Sequence, residues 1–184
     1  MVQKKSFAPI DPKSSGLPGL HLTLRSQASS NLPEDKVKAM LKQHDFFDTN
    51  QHKEGKGLAH LYLPSEREGE KLVIDYATGL TWQQAGSSNS MVYSDVEKYV
   101  RELNTKRFAG YEDWRLPSLE EAMSLMEREK RSGDLYIAPV FGRTQIWIWT
   151  ADKQGTGRTW VAYFNDGLCS HRGFGYVARV RAVR

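Results

Sequence analysis

The stretch KLVIDYATGLTWQQ, residues 71–84, decides how the chain folds. Leu72, Val73 and Ile74 form a short β-branched and apolar run. Thr78-Gly79 punctuates it, and Leu80-Thr81-Trp82-Gln83 resumes an extended pattern. This reads as strand, turn, strand. Downstream, Ser94-Asp95-Val96-Glu97 has the form of a capping box, followed by Val96, Tyr99, Val100 and Leu103 at helical spacing. A second box, Ser118-Leu119-Glu120-Glu121, opens a helix with Leu119, Ala122, Met123 and Met126 on one face. Three further strands are expected: QIWIWTA (145–151), TWVAYF (159–164) and YVARVRAV (176–183). Strands, then helices, then strands to the end predict an α+β fold, two helices packed on an antiparallel sheet.

Upstream the pattern thins. Residues 1–31, rich in Ser, Pro, Gly and Lys, read as a flexible tail, although HLTLRS at 21–26 alternates like a short strand. Pro33 opens a helix whose Val37, Met40, Leu41 and His44 make one narrow stripe. That stripe is too thin for a core of its own and must dock on the downstream domain. Residues 32–69 therefore read as a small helical extension of a domain spanning 70–184. Asp48, Asn50 and His52 alternate as in a calcium loop. The sixth loop position is Lys53 and the twelfth Ala59, so the bidentate carboxylate is missing and an Asx turn is expected instead.

The composition excludes several classes. The 184 residues carry 26 basic and 22 acidic side chains, net +4, with 39% hydrophobic residues, which is ordinary for a globular protein. No apolar run reaches the roughly 18 residues of a membrane span. The N-terminus lacks the apolar core of a secretory signal, so a cytoplasmic protein with no membrane partner is expected. One cysteine, Cys169, excludes a disulfide framework and a cysteine-cluster zinc site. Charge is uneven: residues 142–184 hold Arg143, Lys153, Arg158, Arg172, Arg179, Arg181 and Arg184 against Asp152 and Asp166. Such a basic end with aromatics suits an acidic glycan. No nucleic-acid motif accompanies it, so nucleic acid is not expected.

Several strings together resemble one bacterial family. They are Asp75-x-x-Thr78-Gly79-Leu80-Thr81-Trp82, Leu103-Asn104, Phe108-Ala109-Gly110-Tyr111, Asp113-Trp114-Arg115-Leu116-Pro117-Ser118, Trp149-Thr150 and the ending Val180-Arg181-Ala182-Val183-Arg184. The pattern is similar to the C-terminal domain of the Legionella collagen-like adhesin, over about residues 70–184. The resemblance implies a C-type-lectin-like fold with its first and last strands paired. It also implies a binding role: the adhesin binds sulfated polysaccharides, similar domains act as sensor modules of signalling proteins, and relatives of the fold are diversified by retroelements that mutate adenines.

Catalysis is not expected. Cys169 and His171 would share one face of an extended segment, where a dyad is conceivable, but in a loop that spacing guarantees nothing. The oxidase relatives of the fold use two cysteines with copper, and one is present. Glu120 and Glu121 are adjacent on a helical first turn and point apart. Asn165-Asp166 is too small a ligand set for calcium. No cofactor or metal is expected, and Trp82, Asp113, Trp114, Arg115, Trp149 and Trp160 read as scaffold, with Arg115 paired to Asp113 or Asp75. Ile146 and Ile148 alternate with Trp147 and Trp149, so that strand reads as apolar on both faces.

The final 24 residues, 161–184, contain no Lys, Glu, Gln, Met or Trp, although these types make up 43 of the 184 residues. Those five are the ones unreachable when adenines of an AAC or AAT codon are replaced, so the absence fits an adenine-mutagenised segment. Strand composition alone also disfavours Lys and Glu. Within the segment FNDGLCSHRGFGY shows no period, and residues 165–175 read as an exposed, replaceable loop. The resulting expectation is a non-enzymatic binder of an unknown protein or acidic glycan, contacting it through Lys153, Gln154, Arg158, Tyr163, Asn165, His171, Arg172 and Phe174. The alternative is a sensor or regulatory module in which residues 1–66 dock a partner.

Overall fold

A computed structural model describes residues 22–184. Helix α1 (Glu34–Gln43) precedes a three-stranded antiparallel meander, β1 (Tyr62–Arg67), β2 (Glu70–Asp75) and β3 (Leu80–Gln83). Strand β4 (Met91–Val92) leads into α2 (Tyr93–Thr105), a short 3-10 turn (Phe108–Gly110) and α3 (Leu119–Ser124). A second antiparallel meander comes next, β5 (Trp147–Lys153), β6 (Arg158–Tyr163) and β7 (Leu168–Gly173), and β8 (Val177–Ala178) pairs with β4. The α+β class holds, with helices and antiparallel sheets.

The hairpin expected at 71–84 is β2–β3, with Leu72 opposite Gln83 and Asp75 opposite Leu80. Its turn is built by Asp75, which is fully buried. The Asp75 carboxylate accepts from Ala77 N (3.1 Å), Thr78 Oγ1 (2.5 Å) and His60 Nδ1 (2.8 Å). Gly79 takes φ 72°, a conformation that favours glycine. Strand β1 was hidden in the expected helical extension because YLPSER carries Pro64 and polar residues; it is an edge strand, where proline is tolerated. The boundary read at 69/70 therefore falls inside the β1–β2 hairpin.

The chain's end stitches the two meanders together. Trp149 N donates to Arg179 O (2.9 Å), Gln83 N to Ala182 O (3.0 Å) and Thr81 N to Arg184 O (3.0 Å), while Arg115 and Val183 exchange both backbone bonds. The expected strand 176–183 is thus a ladder only at Val177–Ala178 and elsewhere a series of single bridges. It pairs with β3, not with β2, because β2 already has neighbours on both edges.

Both faces of the second meander are covered, as the alternation Ile-Trp-Ile-Trp required. Ile148, Trp160, Ala162 and Cys169 join the main core with α1, α3, Phe46, Trp82 and Phe164. Trp149, Val161 and Tyr163 face a second cluster with Val96, Ala178 and Val180. Trp147 is half-buried at the open end of that face, so the two tryptophans differ in burial although they share a side. A third cluster gathers Leu72, Leu103, Ala109, Trp114 and Ala182. Here Asn104 clamps the next motif, accepting from Trp114 N (2.8 Å) and donating to Trp114 O (2.9 Å).

Several expectations are corrected. Residues 22–26 form no strand, and residues 1–21 lie outside the described ones. Residues 22–32 are irregular yet tied down: Arg25 reaches Asp152 with both terminal nitrogens (2.8 and 2.6 Å), and Ser29 N donates to the same carboxylate (2.7 Å). Helix α2 begins at Tyr93, with Val92 at its N-cap and no side-chain cap, because Tyr93 N donates to Phe174 O; Ser94 is exposed. The second capping box is present in full at Ser118 and Glu121. Arg115 pairs with Glu121 (2.6 Å), not with Asp113 or Asp75; Asp113 holds Arg184 (2.6 Å). The Asx turn at Asp48 forms, its Oδ1 accepting from Asn50 N and Gln51 N.

Candidate ligand-binding surface

The segment read as an irregular loop is the β6–β7 hairpin, with Tyr163 opposite Leu168, Ala162 opposite Cys169 and Trp160 opposite His171. Its sequence lacks a period because both faces are partly covered and β7 is the sheet edge. Besides its buried side chains Trp160, Ala162, Phe164 and Cys169, the hairpin is anchored through its backbone. Asp48, fully buried, accepts from Cys169 N through Oδ2 (2.9 Å). Thr49 N donates to Gly167 O (2.8 Å), Tyr136 N to Phe164 O (2.7 Å), and Phe164 N to Ile146 O (2.8 Å). Gly167 has φ 69°, and a Cβ there would lie 3.0–3.1 Å from Tyr136 and Thr49. The turn therefore needs glycine and a close approach. The side chains of Asn165, Asp166, Ser170, His171 and Arg172 hold none of these bonds.

The expected contact residues divide between two clefts. Tyr163, His171 and Arg172 line a cleft of about 660 Å³ along β7, closed on one side by Glu34, Asp35 and Lys38 of α1. His171 directs Nε2 to Glu34 (3.0 Å) and Nδ1 toward Arg158 (3.4 Å), its ring edge-on to Trp160. Arg172 lies over the rings of Tyr163 and Tyr176, at 5.1 and 5.5 Å, and hydrogen-bonds only Ser170 Oγ and His171 O. Burial raises the Tyr163 hydroxyl well above its ordinary range. Lys153 and Phe174 line the second cleft, where Phe174 stacks on Tyr93 at 5.0 Å. Gln154, Arg158 and Asn165 line neither: Gln154 N closes the β5–β6 turn on Arg158 O, the exposed Arg158 side chain reaches His171, and Asn165 bonds the adjacent Asp166. Leu168 packs in the second cluster and Phe174 on Tyr93, so these two are not freely replaceable.

Sequence reading missed Glu34, Tyr93 and Tyr176 at these clefts, and Asp48 beneath the hairpin. The Asx turn was legible, but nothing local announces that its second oxygen reaches a residue 121 positions away.

Burial, then the nearby Asp48 charge, pushes the Cys169 thiol well above its ordinary value. Cys169 and His171 share no hydrogen bond among the described residues, since both His171 nitrogens face other groups. Among the described residues no three His, Cys, Asp or Glu side chains gather to hold a metal ion. No helix among them is long and apolar enough to cross a membrane.

Three of the seven basic side chains of the C-terminal segment are occupied within the fold. Arg184 pairs with Asp113, and Arg179 donates to Ser87 O and Ser88 O. Arg181 is fully buried over Phe141 at 4.7 Å, bonded to Gln84 O and Gly142 O, and burial pushes it down to about 9. Exposed or half-exposed cations remain at Arg143, Lys153, Arg158 and Arg172.

These features define an α+β module whose second meander carries a backbone-anchored hairpin with polar and aromatic side chains on its outer edge. The chain belongs to the Lcl C-terminal domain family, whose model matches residues 71–184. No curated protein matches the chain.

Proposed function

We propose that this protein is a non-enzymatic ligand-binding module on a C-type-lectin-like fold, displaying a variable contact surface on the β6–β7 hairpin. The observation that carries the reading is the division of labour within β7. The β6 ladder and the Cys169–Asp48 bond position the strand, bonds from Thr49 and Tyr136 fix the turn before it, and Ser170, His171 and Arg172 stay half-exposed. A surface built so tolerates many side chains without losing its shape, as a paratope does. The adenine-type residue bias of 161–184 supports diversification by a retroelement. The family's association with an adhesin supports binding over catalysis.

Of the two ligand classes, a protein is the better fit. Glu34, Asp35 and Asp166 line the β7 cleft beside Arg172, His171 and Lys38, so the site has mixed charge and would repel a polyanion. The test is a displayed library randomised at Arg158, Ser170, His171 and Arg172. The reading expects most members to fold and selected members to bind distinct proteins. Failure of most members to fold would refute it. Heparin retention that falls on Arg158→Ala plus Arg172→Ala would instead favour a sulfated glycan.

A further inference from the structure

We propose that the cleft between α2 and the β5–β6 end of the second meander is a second site, for a small amphipathic carboxylate: one negative group on an apolar body. It lies on the face of the sheet that carries Trp149 and Val161, shares no lining residue with the β7 cleft, and does not depend on the β7 reading.

The cleft measures about 760 Å³, within the roughly 300–1,000 Å³ usual for small-molecule sites. Val92, Val96, Val100 and Leu116 make its walls, and the Tyr93–Phe174 stack closes one end. That lining takes an apolar group of small size.

Charge at the wall selects the head group. Three ionic side chains line the cleft besides the apolar ones, and two are already neutralised. Arg115 is paired with Glu121 (2.6 Å), and Glu97 with Arg101 (3.1 Å). The third, Lys153, has no carboxylate within ion-pair distance among the described residues; its Nζ sits 5.9 Å from the Phe174 ring. Its backbone is fixed, Lys153 N donating to Ser29 O and Lys153 O accepting from Leu32 N. The site therefore presents one uncompensated cation, at a set position, beside an apolar floor. A polyanion would find no second free cation there, and a neutral apolar molecule would leave the ammonium unused. A monocarboxylate satisfies both parts.

The full chain is titrated with octanoate and phenylacetate, and with octanol and 2-phenylethanol as uncharged counterparts, by calorimetry and by thermal shift. At least one acid is expected to bind about tenfold more tightly than its alcohol. Which acid wins distinguishes an aliphatic from an aromatic body. Lys153→Met should lower the acid's affinity to that of the alcohol, Lys153→Arg should restore most of it, and Val100→Trp, at a half-buried wall position, should weaken both. The triple variant Ser170→Ala, His171→Ala, Arg172→Ala should bind the acid normally, which separates this site from the β7 surface. Equal binding of acid and alcohol, indifference to Lys153→Met, loss of acid binding in the triple variant, or no binding at about 10 mM would each overturn the proposal.

Discussion

Asp152 is the point where a perturbation should propagate farthest. Its carboxylate is fully buried and accepts four hydrogen bonds: Ser29 N (2.7 Å) and Arg25 Nη1 (2.8 Å) on Oδ1, Arg25 Nη2 (2.6 Å) and Leu119 N (2.7 Å) on Oδ2. It joins three parts distant in sequence: the segment before α1, the first turn of α3 and the end of β5. Asp152→Ala leaves Leu119 N buried without an acceptor and Arg25 without its partner. Breaking a buried pair from one side costs about 3–5 kcal/mol. The Arg25 share is discounted, because its side chain is 31% exposed and water can replace the carboxylate. A total of about 3–4 kcal/mol remains, which for a chain of this size lowers the melting temperature by roughly 8–15 °C. Arg25→Ala alone should cost about as much, roughly 3 kcal/mol, because it leaves the fully buried Asp152 charge with only two amide donors. The assay is thermal melting of both single variants and the double variant, with limited proteolysis of residues 22–32. Asp152→Ala melting within about 2 °C of the parent would refute the reasoning.

Two further outcomes rest on buried groups. Cys169, buried and raised by its surroundings, should resist alkylation by iodoacetamide at neutral pH in the folded protein and react readily in urea; fast native alkylation would reopen nucleophilic chemistry at this residue. Arg181 is a cation buried without a carboxylate, so Arg181→Met should stabilise the protein at neutral pH by about 1–3 kcal/mol. The sign follows from its pKa, lowered to about 9 in the folded state: below that pH the parent carries the burial cost in full, and above it the cost eases. The advantage of Arg181→Met should therefore shrink as pH rises through about 9; a destabilised variant would show that its carbonyl bonds and the Phe141 contact outweigh desolvation.

The legible parts of this fold were those in which local chemistry and tertiary packing agree. The β2–β3 hairpin was visible because Asp75, Thr78 and Gly79 build a turn between two apolar runs. The Ser118 capping box was visible because both of its bonds are local. The β7 strand was not, since Leu168, Ser170 and Arg172 face one cluster while Cys169 and His171 face another, and neither face repeats an apolar type. Ser94 misled because the helix starts one residue earlier, at Tyr93, whose N–H is met by Phe174 O from the far end of the chain, so Ser94 lies inside the first turn. Arg181 looked like the polar side of an alternating strand, yet that strand is buried on both sides. The proposed contact residues were chosen by composition, and their placement in or outside the two clefts depends on which face of β5–β7 each occupies. Sequence alone does not supply that for a strand it reads as a loop.

The central claim is that backbone anchors, not outer side chains, hold the β6–β7 hairpin. Its most direct test is the melting temperature of the triple variant Ser170→Ala, His171→Ala, Arg172→Ala. The His171–Glu34 pair and the Arg172 ring contacts lie at the solvent edge, where each is worth about 0.5 kcal/mol, so the account predicts a melt within about 5 °C of the parent. A fall as large as that of Asp152→Ala would contradict it and make the outer face of β7 part of the scaffold.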